Sequence, residues 1–316
     1  MWPARSSRIS SRDNLNGVSD ITADDELASL SEFTFLKENA RQAGVDTVPP
    51  VERIDSGPIS ALKFGDGPPR VAFLHGGGQN AHTWDTVIVG IGEPALAVDL
   101  PGHGRSSWRD DGDYGPKLNA VAVEPVVREL APDADLVVGM SLGGLTALQL
   151  AVAAPELVRK LVLVDVTPSA PERHGEMTEA QKGTVALVAG ERVFPTFQAM
   201  LDVTIAAAPH RDRESLRRGV FHNAQRLDDG TWTWRYDSMR TAGGFEGLWE
   251  DVPRLTVPTT LVRGANSAFV NDEDAAEFAR IAPGFQTVHM VEDSGHSVQS
   301  DQPRALIKIL RGVLTG

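Results

Sequence analysis

Residues Val137 to Leu148 read VVGMSLGGLTAL. An unbroken apolar run ends in Gly139-Met140-Ser141-Leu142-Gly143, and a helical pattern begins directly after it. Unbroken Val/Leu runs suit a strand buried on both faces. A serine flanked by glycines at such a junction sits on a sharp, strained turn. The turn lifts the hydroxyl above the sheet and aims the next helix's N-terminus at the same point. The pentapeptide alone is a weak signal, and its strand–turn–helix setting gives it weight.

Working outward, short apolar runs recur along the chain: Val51 to Ile54, Ile59 to Phe64, VAFLH (71–75), ALAVD (95–99), LVLVD (161–165), TTLVR (259–263) and TVHMV (287–291). Asp55-Ser56-Gly57-Pro58 joins the first two as a hairpin. Helical spacing lies between most of the others, at 82–89, 120–130, 142–154 and 274–281, with a last helix near 305–314. This alternation specifies a mainly parallel sheet covered on both faces. The stretch from Val166 to Pro253 is too long for a loop in a compact domain. It carries helical patterns at 178–190, 195–207 and 212–227, then TWTWRYD (231–237), and reads as a cap inserted between the sixth and seventh strands. The expected organisation is therefore a disordered tail over 1–20, an N-terminal helix within 21–46, an α/β core over 47–168 and 251–316, and a cap over 169–250. For the N-terminal helix, Thr22 and Asp25 form a capping pattern, and Leu27, Leu30, Phe33, Leu36 and Ala40 repeat at helical spacing before Gly44.

Composition excludes several classes. With 316 residues, 41% of them hydrophobic, the chain can bury a sizeable core. A net charge of −13, from 30 basic and 43 acidic residues, argues against general nucleic-acid binding, which needs a basic face. No apolar run approaches the ~18 residues of a membrane span, and no apolar segment follows Arg5, Arg8 and Arg12 to make a signal peptide. The absence of cysteine removes disulfides, thiolate metal sites and a Cys nucleophile. A cytoplasmic protein is expected, and nothing in the sequence specifies its oligomeric state.

The chemistry gathers at the strands' carboxyl ends, where open α/β sheets bind ligands. His75-Gly76-Gly77-Gly78 follows VAFL directly. A tetrahedral intermediate needs two donors aimed at its oxyanion. The backbone N–H of Leu142 is one candidate and that of Gly77 the other, with Gly78 assisting. Of eight histidines, only His296 follows the last core strand in a short flexible loop, Ser294-Gly295-His296, from which an imidazole can act as general base for Ser141. His75 is expected to order the oxyanion loop by hydrogen bonding. Trp84, Phe194, Phe197, Trp232, Trp234 and Trp249 fit an apolar acyl pocket and equally fit buried packing.

HGGGQNAHTW (75–84), VDLPGHGRS (98–106), VVGMSLGGLTAL (137–148) and DSGHSVQSDQP (293–303) together resemble the α/β-hydrolase superfamily, over roughly residues 50 to 316. The resemblance implies an eight-stranded, mostly parallel sheet, a helical cap, a triad in the chain order Ser–acid–His, and no metal or organic cofactor. It also raises a difficulty. The usual place for the acid, the turn Arg263-Gly264-Ala265-Asn266-Ser267 after the seventh strand, carries no carboxylate. Asp272 and Asp274 lie further on, where helix capping explains them. Asp99 precedes the nucleophile and is expected to tie down its own loop. Asp165, at the end of LVLVD, preserves the order, and some superfamily members are similar in taking their acid from this sixth-strand position. Asp165 is the preferred acid, with Asp272 and Asp274 as alternatives and Ser267 as hydrogen-bonding support.

These readings converge on a serine hydrolase acting on a small or medium carboxylic ester, lactone or thioester, with a small-molecule acyl substrate as its partner. A non-hydrolytic enzyme of the same fold, such as a cofactor-free perhydrolase or lyase, and a non-enzymatic small-ligand receptor are the alternatives. A serine nucleophile argues against the epoxide hydrolases and dehalogenases of similar sequence, which attack with aspartate.

Overall fold

The computed structural model describes residues 23–238 and 244–316, so the expected tail over 1–20 and the capping residue Thr22 lie outside the described residues. The chain divides into two compact units, Met1–Leu30 and Ser31–Gly316. The described part of the first forms α1 (Ala23–Ala28), whose first turn carries Asp24, Asp25 and Glu26 at the favourable end of the helix dipole. The second unit opens with α2 (Leu36–Ala43). The single helix expected up to Gly44 is thus two. At the break, Ser31 Oγ accepts the Phe33 N–H, and Thr34 Oγ1 donates to the Ser31 carbonyl. Local side-chain bonds of this kind compete with helix propagation.

The hairpin β1 (Val51–Ser56) and β2 (Ile59–Phe64) leads to β3 (Val71–Leu74), a short 3₁₀ turn over Ala81–Trp84, α3 (Asp85–Ile91), β4 (Ala95–Val98), α4 (Pro116–Leu130), β5 (Leu136–Met140), α5 (Leu142–Ala153) and β6 (Leu161–Val164). A long inserted segment follows: α6 (Ala170–Glu176), α7 (Glu179–Lys182), β7 (Val193–Phe194), α8 (Phe197–Ala207), α9 (Arg213–Asn223), β8 (Ala224–Arg226), β9 (Trp232–Trp234) and α10 (Leu248–Asp251). The core resumes with β10 (Thr259–Gly264), α11 (Asp272–Ile281), β11 (Phe285–Val291), α12 (Val298–Asp301) and α13 (Pro303–Thr315). The helical pattern over 212–227 stops at Asn223, because Ala224 to Arg226 pair antiparallel with Trp232 to Trp234. The turn between them contains Asp229-Gly230, with Gly230 at φ +86°; a D-G pair between strand-forming residues is a strong hairpin signal.

The main sheet has eight strands in the order β1-β2-β4-β3-β5-β6-β10-β11. Only the β1–β2 and β2–β4 pairings are antiparallel. β3, β4, β5 and β6 are buried along their whole length. Alternate residues face two cores, so Ala72 and Leu74 join one side, with residues of α4, α5 and α11, while Phe73 joins the other, with residues of α2, α3 and α13. Burial of a Leu or Phe side chain such as Leu74 or Phe73 contributes roughly 1.5–3 kcal/mol. This covering on both faces is why the strands read as unbroken apolar runs. It leaves the carboxyl ends of β3, β5, β6 and β10 as the places where loops can carry polar groups.

Candidate active site

Ser141 leaves β5 at φ +51° and ψ −121°, a backbone conformation that a non-glycine residue adopts only under strain, and it directly precedes α5. The flanking glycines are there for room. A Cβ on Gly143 would stand 2.3 Å from the Leu74 carbonyl oxygen, and one on Gly139 2.3 Å from the Gly143 oxygen. The turn is anchored sideways as well, since the Ser141 N–H donates to the Val164 carbonyl at 3.2 Å.

The loop after β3 is ordered by two buried histidines. His75 Nδ1 bonds the Gly76 carbonyl at 2.8 Å, and its Nε2 accepts the Leu100 N–H at 2.9 Å. His103 Nδ1 bonds the Pro101 carbonyl at 2.9 Å, and its Nε2 accepts the Gly78 N–H at 3.1 Å. Each ring thus donates through Nδ1 and accepts through Nε2. Burial pushes both pKa values down, that of His103 to about 3. Gly78 therefore cannot assist an oxyanion as the sequence suggested, because its N–H is taken. The Gly76 N–H is taken too, by Gln79 Oε1 at 3.1 Å. Gly77 lies between them with its N–H uncommitted among the described residues. Leu142 is the first residue of α5, where an N–H has no carbonyl one turn back.

Asp165 directly follows β6, fully buried and at φ +52°. Its Oδ1 accepts the Gly264 N–H at 3.0 Å, and its Oδ2 lies 2.8 Å from His296 Nδ1 and accepts a hydrogen bond from Ser267 Oγ. A carboxylate at Nδ1 selects the tautomer with the proton there and leaves the lone pair on Nε2. That Nε2 is buried without a hydrogen-bond partner, so the bond to Ser141 is not made in this structure. Such bonds often tighten only around substrate. The alternative acids are occupied elsewhere. Asp272 pairs with Arg263 at 2.8 Å and is 93% exposed, and Asp274 holds Arg173 through two bonds of 2.8 and 3.1 Å. Asp99 accepts the Ala81 and Arg105 N–H groups and pairs with Arg53, which ties its own loop as expected.

Three features escape a reading of the sequence. The Phe269 ring lies flat on His296, with centroids 3.5 Å apart; an apolar residue near a turn gives no sign of this. Asp301 Oδ2 accepts the Gly295 N–H at 3.0 Å, beside the catalytic candidate. His82 bridges two carboxylates, with Nδ1 2.9 Å from Asp85 and Nε2 3.1 Å from Glu32, and stacks on His222 at 3.9 Å. Both of its nitrogens are thus committed to carboxylates. Most of the aromatic residues are packing residues: Trp84 lies against Phe73, Phe194 against Trp234, and Phe197 against Trp232. Trp234 also borders a cavity of about 140 Å³ next to Gly77 and Gly78, whose walls mix apolar and polar surface, with Leu187, Leu216 and Val220 beside Asn80, Arg218 and Gln299.

A strained serine turn after β5, a histidine–aspartate pair from the loops after β11 and β6, and a glycine loop after β3 make up the candidate site. The profile of the Alpha/beta hydrolase family matches residues 71–309, and the chain belongs to that family. It is 68% identical over 293 residues to esterase Rv0045c of Mycobacterium tuberculosis, covering 92% of this chain and 98% of that protein. A solved structure of that esterase superposes with a TM-score of 0.85, covering 91% of this chain and 100% of the other. More distant is 2-(acetamidomethylene)succinate hydrolase of Mesorhizobium japonicum, 27% identical over 82% of this chain and 92% of its own. A solved structure of E-2-(acetamidomethylene)succinate hydrolase superposes with a TM-score of 0.72 at 25% identity, covering 85% of this chain and all of the other. Among the described residues, no helix is long and apolar enough to cross a membrane.

Proposed function

We propose that this protein is a serine esterase that cleaves small or medium carboxylic esters through an acyl-enzyme on Ser141, with His296 as general base and Asp165 as the acid. The observation that carries the reading is the 2.8 Å contact between His296 Nδ1 and a fully buried Asp165. It orients the imidazole and stabilises the imidazolium that forms when the ring takes the Ser141 proton. The alkoxide attacks the acyl carbon, and the N–H groups of Gly77 and Leu142 receive the oxyanion. The leaving alcohol takes the proton from His296. Water, deprotonated by the same nitrogen, then releases the acid. Ser267 supports the aspartate by donating to the oxygen that faces His296. Residues 169–250 act as a cap over this machinery, and thioesters and lactones are attacked by the same route. The 68% identical relative is itself an esterase, which supports ester cleavage over other chemistry of the fold.

The test is labelling of the parental chain and of Ser141→Ala with a fluorophosphonate, alongside turnover of short p-nitrophenyl esters. Labelling of the parent alone, with multiple turnovers, is expected. A folded parent that neither labels nor turns over would overturn the reading.

A further inference from the structure

Helix α9 touches both loops on which this chemistry depends, one at each end. Just before its first turn, Arg211 Nε lies 2.9 Å from Asp301 Oδ1, in an ion pair whose side chains are only 13% and 6% exposed. The other oxygen of Asp301 accepts the N–H of Gly295, the residue preceding His296. Burial pushes the Arg211 pKa down, and Asp301 is the group that opposes it. At the far end, the His222 carbonyl and Asn223 Oδ1 accept both protons of the Asn80 side-chain amide, at 2.9 and 2.7 Å. Asn80 closes the glycine loop that holds Gly77, and its Oδ1 accepts the His82 N–H at 3.0 Å. The His82–His222 stack adds a second contact at the same end.

From these contacts we infer that α9 is a positioning strut that sets the His296 loop against the oxyanion loop, so that base and oxyanion donors come into register only when the inserted segment is seated. The inference rests on the roles assigned above to His296 and Gly77. Eleven helical residues span about 16 Å at 1.5 Å per residue, and a helix of that length transmits position without bending much. The turn before it is held by Asp212, whose side chain accepts the Ser215 N–H, and by the Arg211 N–H on the Ala208 carbonyl. Arg211 and Asn223 act on the reaction only through other residues. Their effect should therefore fall on turnover more than on substrate binding.

The experiment is a mutant cycle in the full chain, read as kcat and KM on a short p-nitrophenyl ester, with thermal unfolding to establish that each variant is folded. Arg211→Met should lower kcat on the order of 10- to 100-fold, the cost of misplacing catalytic groups by about an ångström, with KM within about threefold. Arg211→Lys should restore most of the loss. Asn223→Ala should lower kcat several-fold. The Arg211→Met/Asn223→Ala pair decides the matter, because a strut already free at one end loses little more when released at the other. The combined loss should fall at least about threefold short of the product of the single losses. Single losses that multiply, or a parental kcat in Arg211→Met, would overturn the strut. Should Arg211→Met not fold, the same cycle is read with Arg211→Gln, which also removes the charge that faces Asp301. Ser141→Ala and His296→Gln in the parental chain separate the two failures, since activity persisting in those variants would defeat the site assignment instead.

Discussion

The ring of Phe269 lies parallel to the imidazole of His296, with planes 13° apart and centroids separated by 3.5 Å. Phe269 is itself held by the bond from its N–H to Ser267 Oγ, the hydroxyl that also donates to Asp165. The turn after β10 thus supports the histidine on its face and the aspartate at its oxygen. Aromatic stacking of this kind contributes about 0.5–1.5 kcal/mol. Phe269→Leu keeps an apolar wall and loses the flat one, so steady-state kinetics should show kcat about 3- to 10-fold lower with KM little changed.

Asp165 receives three hydrogen bonds, and only one of them comes from the histidine. Asp165→Asn should lower kcat by roughly 10⁴-fold, because the amide favours the wrong imidazole tautomer. Ser267→Ala should lower it by only about tenfold, the scale of one hydrogen bond to a charged group. Turnover of Asp165→Asn close to that of the parent would remove it from the triad.

Gly143 is required for space. Gly143→Ala places a methyl carbon 2.3 Å from the Leu74 oxygen and 2.4 Å from that of His75, both backbone atoms at the start of the oxyanion loop. The expected cost is about 1–3 kcal/mol in denaturant unfolding, with turnover falling further as the loop is pushed away.

His82 is held as an imidazolium. Burial pushes its pKa down, but the charge of Asp85 and hydrogen bonds to Asp85 and Glu32 carry it up to about 9. A folded-state pKa above the ordinary 6.5 gives stability that is complete below pH 6.5 and lost as the pH rises through 9. The buried neutral histidines His75, His103 and His222 work in the opposite sense. Burial pushes each of them down, so they cost stability as the pH falls below 6.5. Thermal midpoints should therefore decline on both sides. His82→Gln should flatten the alkaline limb and leave the acid limb in place.

Gly219 lies in the middle of α9, and a methyl group placed there would have nothing within 4 Å. Gly219→Ala should stabilise the helix by about 0.5–1 kcal/mol and raise the melting midpoint by about 2 °C. An unchanged or lower midpoint would mean that this helix needs the glycine's freedom.

The strands and the serine turn are legible in the sequence because their causes are local. An apolar run records burial on both faces, and Gly139 and Gly143 record the close approach of the backbone around Ser141. Asp165 stands out by elimination, since it ends a strand and keeps the chain order. The inserted segment is less legible. Its helices show in the periodicity, but the pairing of Ala224–Arg226 with Trp232–Trp234 overrides a helical pattern. The Asp229-Gly230 signal just beyond that pattern is the one local mark of the hairpin.

The sequence by itself determined the parallel sheet, the family and the candidacy of Ser141, Asp165 and His296, because each is marked by residue types that one short segment requires. Tertiary structure alone decided that Gly78 is unavailable, that Phe269 covers His296, and that Arg211 and Asn223 reach the two active-site loops. Those relations join residues far apart in the chain. A phenylalanine, an arginine or an asparagine can meet such a contact without altering the local pattern around it, so nothing short of the folded arrangement records it.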